Sequence, residues 1–130
     1  MKADTPIDAA AQLLIDARSS GQQLPACALA DAASAYAVQE AVARSFGWFP
    51  DGLAGYWKSG GASPQSVRTH APLPPEGILQ HPGDARALAF HMRGIEAEIA
   101  LRLRVPVDAH RAAHINEESA CALVDSMCVA

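Results

Sequence analysis

Between Ile95 and Arg104, two kinds of side chain alternate without interruption. The odd-numbered positions from Ile95 to Leu103 are all apolar, whereas the even-numbered positions carry two glutamates, an alanine and two arginines. A period of two indicates a β-strand that buries one face and leaves the other for polar contacts. This strand lies in the longest extended candidate of the chain, Leu88 to Val105. Because one long strand is unstable without partners, the fold needs further strands beside it.

Two helices are predicted before this strand. Thr5 can cap a helix that starts at Pro6, and the Asp8 side chain can accept a hydrogen bond from the backbone N–H of Thr5 in return. The segment Ser19-Ser20-Gly21 ends this helix. Asp31 begins a second helix, which ends at Gly47. Apolar residues recur at helical spacing in both. They are Ile7, Ala10, Ala11, Leu14 and Ile15 in the first helix and Ala35, Val38, Val42 and Phe46 in the second.

The character of the chain changes after Gly47. Leu53 to Lys58 is predicted as a short strand, and the proline-rich stretch from Pro64 to Pro82 as an ordered loop or flap rather than a helix. Asn116 is predicted to cap a last helix that runs to Ala130 without a stop signal. Its apolar stripe is Ala120, Leu123, Val124, Met127 and Cys128. The sequence therefore predicts an α+β chain cut inside a larger fold, with a helical segment over residues 1–50 and an incomplete β domain with a terminal helix over residues 51–130.

Charge and cysteine content exclude several classes of partner. Ten Lys and Arg stand against 14 Asp and Glu, so the concentrated basic patch that nucleic acid or an anionic membrane requires is not expected. No apolar run approaches the roughly 20 residues that span a bilayer, and no apolar signal segment follows Met1. Cys27, Cys121 and Cys128 have no CxxC spacing, which predicts thiols packed as small core residues in a reducing, cytoplasmic compartment.

Glu96 and Glu98 form the most suggestive pair of polar residues. Alternation places both carboxylates on one face of the predicted strand, where they repel each other unless a cation lies between them. Mg²⁺ and Mn²⁺ prefer such oxygen ligands, and Ala97 and Ala100 leave room around them. The alternative is a solvated strand face on which Glu98 pairs weakly with an arginine.

His110 and His114 are a second candidate pair. They are four residues apart, which is the spacing of a helical zinc pair. The sequence around them shows no helical pattern and no third ligand, so the sequence alone does not favour zinc. His81 and His91 suggest no role.

Several segments resemble the 2-keto-4-pentenoate hydratase-like members of the fumarylacetoacetate hydrolase superfamily. The segment Gly94-Ile95-Glu96-Ala97-Glu98-Ile99-Ala100-Leu101-Arg102-Leu103 is similar to the family's metal-binding strand. Ala35-Tyr36-Ala37-Val38-Gln39 looks like its second helix, Gly55-Tyr56-Trp57-Lys58-Ser59-Gly60 like its Gly-x-Lys-x-Gly strand, and Thr69-His70-Ala71-Pro72-Leu73-Pro74 like a loop of one hydratase branch. The resemblance implies the first part of that family's β-roll, in a family whose members usually assemble into homo-oligomers.

The resemblance also implies a chemistry. Glu96 and Glu98 would hold one Mg²⁺ or Mn²⁺ with a third acidic residue. That residue belongs to an Ala-Ile-Glu motif at the end of the helix that begins at Asn116, and the alanine of the motif aligns with Ala130. The substrate would be a small 2-oxo or 2-hydroxydienoic acid of aromatic-compound degradation, which the enzyme hydrates. Decarboxylation of a 2-oxo-3-hexenedioate, or a non-catalytic truncated domain, are the alternatives.

Three further residues take roles under this resemblance. Lys58 is the candidate for proton transfer, with its pKa lowered by the shielding of Tyr56 and Trp57. His70 and Arg102 are candidates for binding the substrate. The alternatives are an ordinary exposed lysine, a solvated loop histidine and an arginine that only balances the charge of the glutamates.

Overall fold

The computed structural model describes residues 5–25, 27–92 and 94–130. The N-terminal residues before Thr5, and Arg93 within the predicted extended segment, lie outside the described residues. The chain divides into two compact units, Met1–Arg86 and Ala87–Ala130. The boundary between the two units follows Arg86.

The first unit contains α1 (Pro6–Ser20), α2 (Ala32–Phe46), β1 (Trp57–Gly60), β2 (Thr69–Pro72) and a 3-10 helix (Pro75–Gly77). The second contains β3 (Ile99–Leu103), α3 (Ala109–Ala112), α4 (Glu117–Cys121) and β4 (Val124–Val129). Helices and small antiparallel sheets make this a mixed α+β fold, which confirms the predicted class. In the part of the chain that the structure describes, no helix has both the length and the apolar character that crossing a membrane requires.

The two N-terminal helices begin and end at their predicted capping residues. At the start of α1, the Thr5 hydroxyl accepts the Asp8 backbone N–H at 3.2 Å, and the Asp8 carboxylate accepts the Thr5 N–H at 3.0 Å. Asp31 caps α2 by accepting the Ser34 N–H at 2.7 Å, and this bond holds the pKa of Asp31 below its ordinary value. Both helices end at a glycine with positive φ, a conformation that costs little without a Cβ.

The packing of α1 against α2 forms the core of the first unit. Its buried residues are Ala10, Ala11, Val38 and Val42. Each buried valine stabilises the fold by about 1.5–3 kcal/mol through the apolar surface it removes from water. Small alanines on α1 let the two helices approach closely around Val38, which is 2% exposed.

Arg18 joins the end of α1 to two other parts of the same unit. Its guanidinium lies 4.6 Å from the centre of the Trp48 ring, which in turn stacks on Phe46. It also forms a salt bridge of 3.2 Å with Glu76 in the 3-10 helix. The Glu76 carboxylate accepts its own backbone N–H and the Arg18 guanidinium, and together they lower its pKa. The proline-rich stretch is therefore an ordered loop tied to α1, and it contains β2.

Strands β1 and β2 form an antiparallel hairpin. The paired residues are Trp57 with Pro72, Lys58 with Ala71, Ser59 with His70, and Gly60 with Thr69. The strand begins at Trp57, so the predicted strand from Leu53 is only partly correct. This hairpin carries two of the candidate site residues, Lys58 and His70.

Strands β3 and β4 form the antiparallel hairpin of the second unit. Ile99 pairs with Val129, and the pairing continues without a shift to Arg102 and Ser126. Leu103 then pairs with Val124, so Asp125 is an extra residue, a β-bulge. The alternating strand thus has its partner within the chain, in a segment that the sequence predicts as a helix.

The prediction of a helix from Asn116 to Ala130 is wrong. The Asn116 cap is present, with a side chain that accepts the Ser119 N–H at 2.8 Å, but α4 ends at Cys121 and Val124–Val129 forms β4. A short apolar run with a spacing of three or four residues is ambiguous between helix and strand, and the open edge of β3 decides the outcome. The strand is also shorter than predicted, because among the described residues of Leu88 to Val105 only Ile99–Leu103 is a strand.

The cysteines do not pack in the core as predicted. Cys27, Cys121 and Cys128 are all free and exposed. Cys121 ends α4 and Cys128 lies in β4, so they do not share one helix.

Candidate functional site

The two candidate metal carboxylates lie at the start of the β3–β4 hairpin. The Glu98 N–H donates to the Ala130 carbonyl at 2.9 Å, and the Ala130 N–H donates back to the Glu98 carbonyl at 2.9 Å. These reciprocal bonds extend the ladder by one residue beyond β3, so the backbone of Glu98 is held as part of the sheet. Glu96 stands two residues earlier, before the first paired residue. Both glutamates are exposed.

The face of the hairpin that carries Glu98 has small neighbours and one positive charge. Along β3 the same face continues through Ala100 to Arg102. Across the hairpin the partners of these residues are Ala130, Cys128 and Ser126, in that order. Arg102 therefore shares a face with Glu98, whereas the Arg104 guanidinium donates to the Val124 carbonyl at 3.0 Å. Arg102 is the better placed of the two arginines to meet an anion on this face.

The ligand atoms on this face are of the type that a hard cation binds. Two carboxylates supply the oxygen ligands that Mg²⁺ and Mn²⁺ prefer. Within residues 5–25, 27–92 and 94–130, no group of three or more His, Cys, Asp or Glu side chains is arranged to hold a metal ion. The glutamate pair thus offers part of a coordination shell.

Lys58 lies in β1 of the first unit, with an exposed side chain. Tyr56 and Trp57, which precede it in the chain, are 51% and 56% exposed. Lys58 faces Ala71 across the hairpin.

His70 lies at the junction between α2 and the β1–β2 hairpin. Its ring stacks on Tyr36 with centroids 4.6 Å apart, and the Tyr36 hydroxyl is 3.4 Å from its Nδ1. The Trp57 ring lies 5.8 Å from it on the hairpin. A cleft of about 300 Å³ opens beside these rings, at the small end of ligand sites in proteins. The described residues thus give His70 aromatic surroundings rather than a purely solvated loop.

The structure separates Lys58 from His70 although they share a hairpin. Neighbouring positions of a strand point to opposite faces, and His70 is paired with Ser59, the residue after Lys58. The contact of His70 with Trp57, two residues before Ser59, identifies the face that lines the cleft. Lys58 lies on the other face. Both residues belong to the first unit, and both glutamates and Arg102 belong to the second.

Tyr36 lines the cleft although the sequence suggests no site role for it, and Trp57, expected only to shield Lys58, lines the same cleft. The α2 residues that line the cleft are Tyr36, Gln39, Glu40 and Ala43. Their spacing of three, four and seven residues marks a second stripe on the helix, beside the buried stripe of Val38 and Val42. This spacing is a signal that could have identified them.

Comparison with known proteins gives no counterpart for this arrangement. No protein-family model, no curated protein and no solved structure matches the chain. The functional assignment therefore depends on the chemistry of the residues and on the motifs quoted above.

Proposed function

We propose that this chain is part of a divalent-metal-dependent hydratase of 2-hydroxy-2,4-dienoates, of the 2-keto-4-pentenoate hydratase type in the fumarylacetoacetate hydrolase superfamily. The observation that carries the proposal is the pair of reciprocal hydrogen bonds between Glu98 and Ala130. They hold the backbone of Glu98 in a sheet, which suits a strand whose side chains are to bind a metal ion. The three free thiols are in keeping with a cytoplasmic setting.

The surroundings of Glu98 support this role in two ways. Its neighbours along and across the strands, Ala100 and Ala130, are small, so a hydrated cation and a small acid have room. Arg102 on the same face supplies a positive charge and a planar pair of donors for a substrate carboxylate.

The register of the hairpin indicates where a third ligand would stand. Glu98 is opposite Ala130, so a residue two positions beyond Ala130 would face Glu96 if the ladder continued. The motif resemblance expects an acidic residue at that place in the sequence, although at the end of a helix, where the structure has strand β4 instead. Three carboxylates would then share one face of two adjacent strands.

The proposed chemistry gives each residue of the chain a limited task. Glu96 and Glu98 would hold the cation, which when bound would withdraw charge from the 2-oxygen of the substrate. Arg102 orients the substrate carboxylate. His70, with a cleft beside it, is a stronger candidate for contact with a planar substrate than Lys58. Lys58 remains the candidate for proton transfer, but it lies on the other face of the hairpin, so His70 and Lys58 are alternative rather than joint contacts of one substrate.

Metal binding tests the proposed ligands directly. We expect Glu98→Gln to weaken Mn²⁺ binding in a calorimetric titration, whereas Glu117→Gln, an exposed carboxylate on α4, should leave it unchanged. A chain lengthened by Ile-Glu after Ala130 should bind Mn²⁺ at least about ten-fold more tightly than one lengthened by Ile-Gln, because a complete ligand set holds a cation that an incomplete one loses. Equal Mn²⁺ affinity of the two lengthened chains would refute the proposed set of three carboxylate ligands.

Turnover tests the reaction. The dienoate absorbs in the near ultraviolet, and hydration of its double bond removes that absorbance. We expect the decrease in absorbance to depend on Mg²⁺ in the lengthened chain and to be absent in its Glu96→Gln variant. Release of CO₂ from a 2-oxo-3-hexenedioate would instead identify the decarboxylase. A sample with native circular dichroism and no metal-dependent turnover on either substrate would refute the enzymatic proposal.

A second candidate function is that of a non-catalytic chain that assembles with copies of itself. It is favoured by the apolar face of the β3–β4 hairpin, where Ile99, Leu101 and Met127 are 64%, 57% and 67% exposed. Sedimentation of the wild type and of Leu101→Glu tests it. A wild-type monomer at high concentration would contradict assembly through this face.

A further inference from the structure

The helical turn of α3 brings His110 and His114 together. Their ring centroids are 4.8 Å apart, with 36° between the ring planes. The spacing of four residues was noted in the sequence, but the absence of a helical pattern argued against its use. The structure places His110 in a short helix, α3, which the Asp108 carboxylate caps by accepting the Arg111 N–H at 2.7 Å. His114 lies in the turn that follows, where its backbone N–H donates to the Arg111 carbonyl at 3.0 Å.

The protonation of His114 is determined by its hydrogen bond. Its Nδ1 lies 2.7 Å from the backbone carbonyl oxygen of His110. A carbonyl oxygen only accepts, so Nδ1 must carry the proton, and the lone pair of the neutral ring is on Nε2. Metal-ligating histidines in proteins almost always donate their other ring N–H to a backbone carbonyl or a carboxylate in this way.

The separation of the rings matches the requirement of a shared ion. A metal–nitrogen bond of about 2.0–2.1 Å places each ring centre about 3.2 Å from the ion, so two ligands at roughly 90–110° have ring centres about 4.5–5.2 Å apart. The observed 4.8 Å lies in this range. The rings also border a cleft of about 390 Å³, which leaves space for the remaining ligands to be water.

We propose that His110 and His114 form a two-histidine site for a borderline divalent cation such as Ni²⁺, Cu²⁺ or Zn²⁺. Imidazole nitrogen selects these ions over Mg²⁺ and Mn²⁺, and affinity should rise from Zn²⁺ or Ni²⁺ to Cu²⁺. Asp108 and Arg111 carry opposite charges beside the cleft and roughly offset each other. The site is independent of the glutamate pair in residue type and in metal class.

A Ni²⁺ titration followed by calorimetry and by ¹H–¹⁵N spectra tests the site. The full chain should bind one equivalent, with paramagnetic broadening centred on residues 108–115. His110→Asn and His114→Asn should each weaken binding at least about ten-fold, since loss of a supporting partner alone costs 10–100-fold. His91→Asn, a histidine of the same unit outside this cleft, should bind as the wild type does.

A variant with unchanged composition separates chelation from loss of the helical turn. Combining Ala112→His with His114→Ala keeps two histidines but spaces them by two residues, which places them on different faces. We expect this variant to lose the tight binding while keeping its circular dichroism spectrum. Binding that survives this change, or broadening centred on Cys121 or Cys128, would overturn the proposal. Mn²⁺ binding to Glu96 and Glu98 should be unaffected by every histidine variant, so the two metal proposals fail or hold separately.

Discussion

Two proline substitutions in β4 should have different effects because of the alternation of its hydrogen bonds. Glu98 and Ala130 bond reciprocally, so the next such pair two residues along is Ala100 with Cys128. Ile99 and Val129 lie between them as a pair without mutual bonds. The Cys128 N–H therefore belongs to the ladder, and the Val129 N–H points away from β3.

Cys128→Pro should destabilise the hairpin by at least about 1 kcal/mol more than Val129→Pro. One backbone hydrogen bond contributes about 1 kcal/mol net, and a proline ring at a bonded position also collides with the facing strand. The free energy of hairpin opening should therefore fall enough to speed exchange of the Ala100 amide about five-fold relative to Val129→Pro.

Amide hydrogen exchange, measured by NMR at Ala100 and Arg102, provides the assay. In a helix both positions would use their N–H groups, and the two prolines would be equally harmful. Equal acceleration in Cys128→Pro and Val129→Pro, or none in either, would refute the pairing of β4 with β3. The same result would remove the structural support for the glutamate site.

Three further predictions concern the first unit, whose urea unfolding can be followed by fluorescence because both tryptophans lie there. Val38→Ala should lower the free energy of unfolding by about 2 kcal/mol, whereas Leu14→Ala, at a side chain 46% exposed, should cost less than half as much; equal costs would contradict the assigned core. Gly47→Ala should cost about 1 kcal/mol, since φ is 63° there; an unchanged urea midpoint would exclude a left-handed cap. Its own backbone N–H and then Arg18 lower the pKa of Glu76 in the folded state, so these bonds stabilise the fold above the ordinary pKa near 4.5 and are lost as the pH falls through the lowered value. Glu76→Gln should therefore cost up to about 1 kcal/mol at pH 7 and nothing near pH 2, and a cost that stays constant with pH would refute the pairing.

Local signals made the helical part of the fold predictable. Thr5 and Asp31 predict where α1 and α2 begin. A side-chain acceptor at that position satisfies a backbone N–H that has no partner within the helix. Gly21 and Gly47 predict where the two helices end, because a glycine there adopts the left-handed conformation that lets its N–H bond to a free carbonyl of the last turn. These contacts span three or four residues, so the sequence alone contains them.

The C-terminal strand was not predictable because its pattern depends on a distant partner. Val124 and Met127 are three residues apart, which is a helical spacing, yet they belong to a strand. The bulge at Asp125 adds one residue between them, and a period of two then resembles a helical period. Only the pairing with Leu103, some twenty residues away, distinguishes the two structures.

Of the candidate site, too, only the part that depends on local pattern was predictable from the sequence. The alternation around Glu98 and Arg102 is local, and the structure retains it within the ladder. The surroundings of His70 depend on contact between α2 and the hairpin, which no local pattern contains. Tyr36 and Trp57 consequently entered the site only through the structure.

The bulge in β4 also determines how this part of the chain tolerates a change in length. Deletion of Asp125 would leave Val124 opposite Leu103 and Ser126 opposite Arg102, so every cross-strand neighbour would be kept. The hairpin would lose only the additional twist that a bulge introduces. Deletion of Met127 would instead exchange the apolar and polar faces of the residues before it, because the side-chain period is two. Asp125 is therefore the position in this strand at which a codon can be lost while the arrangement of side chains is preserved.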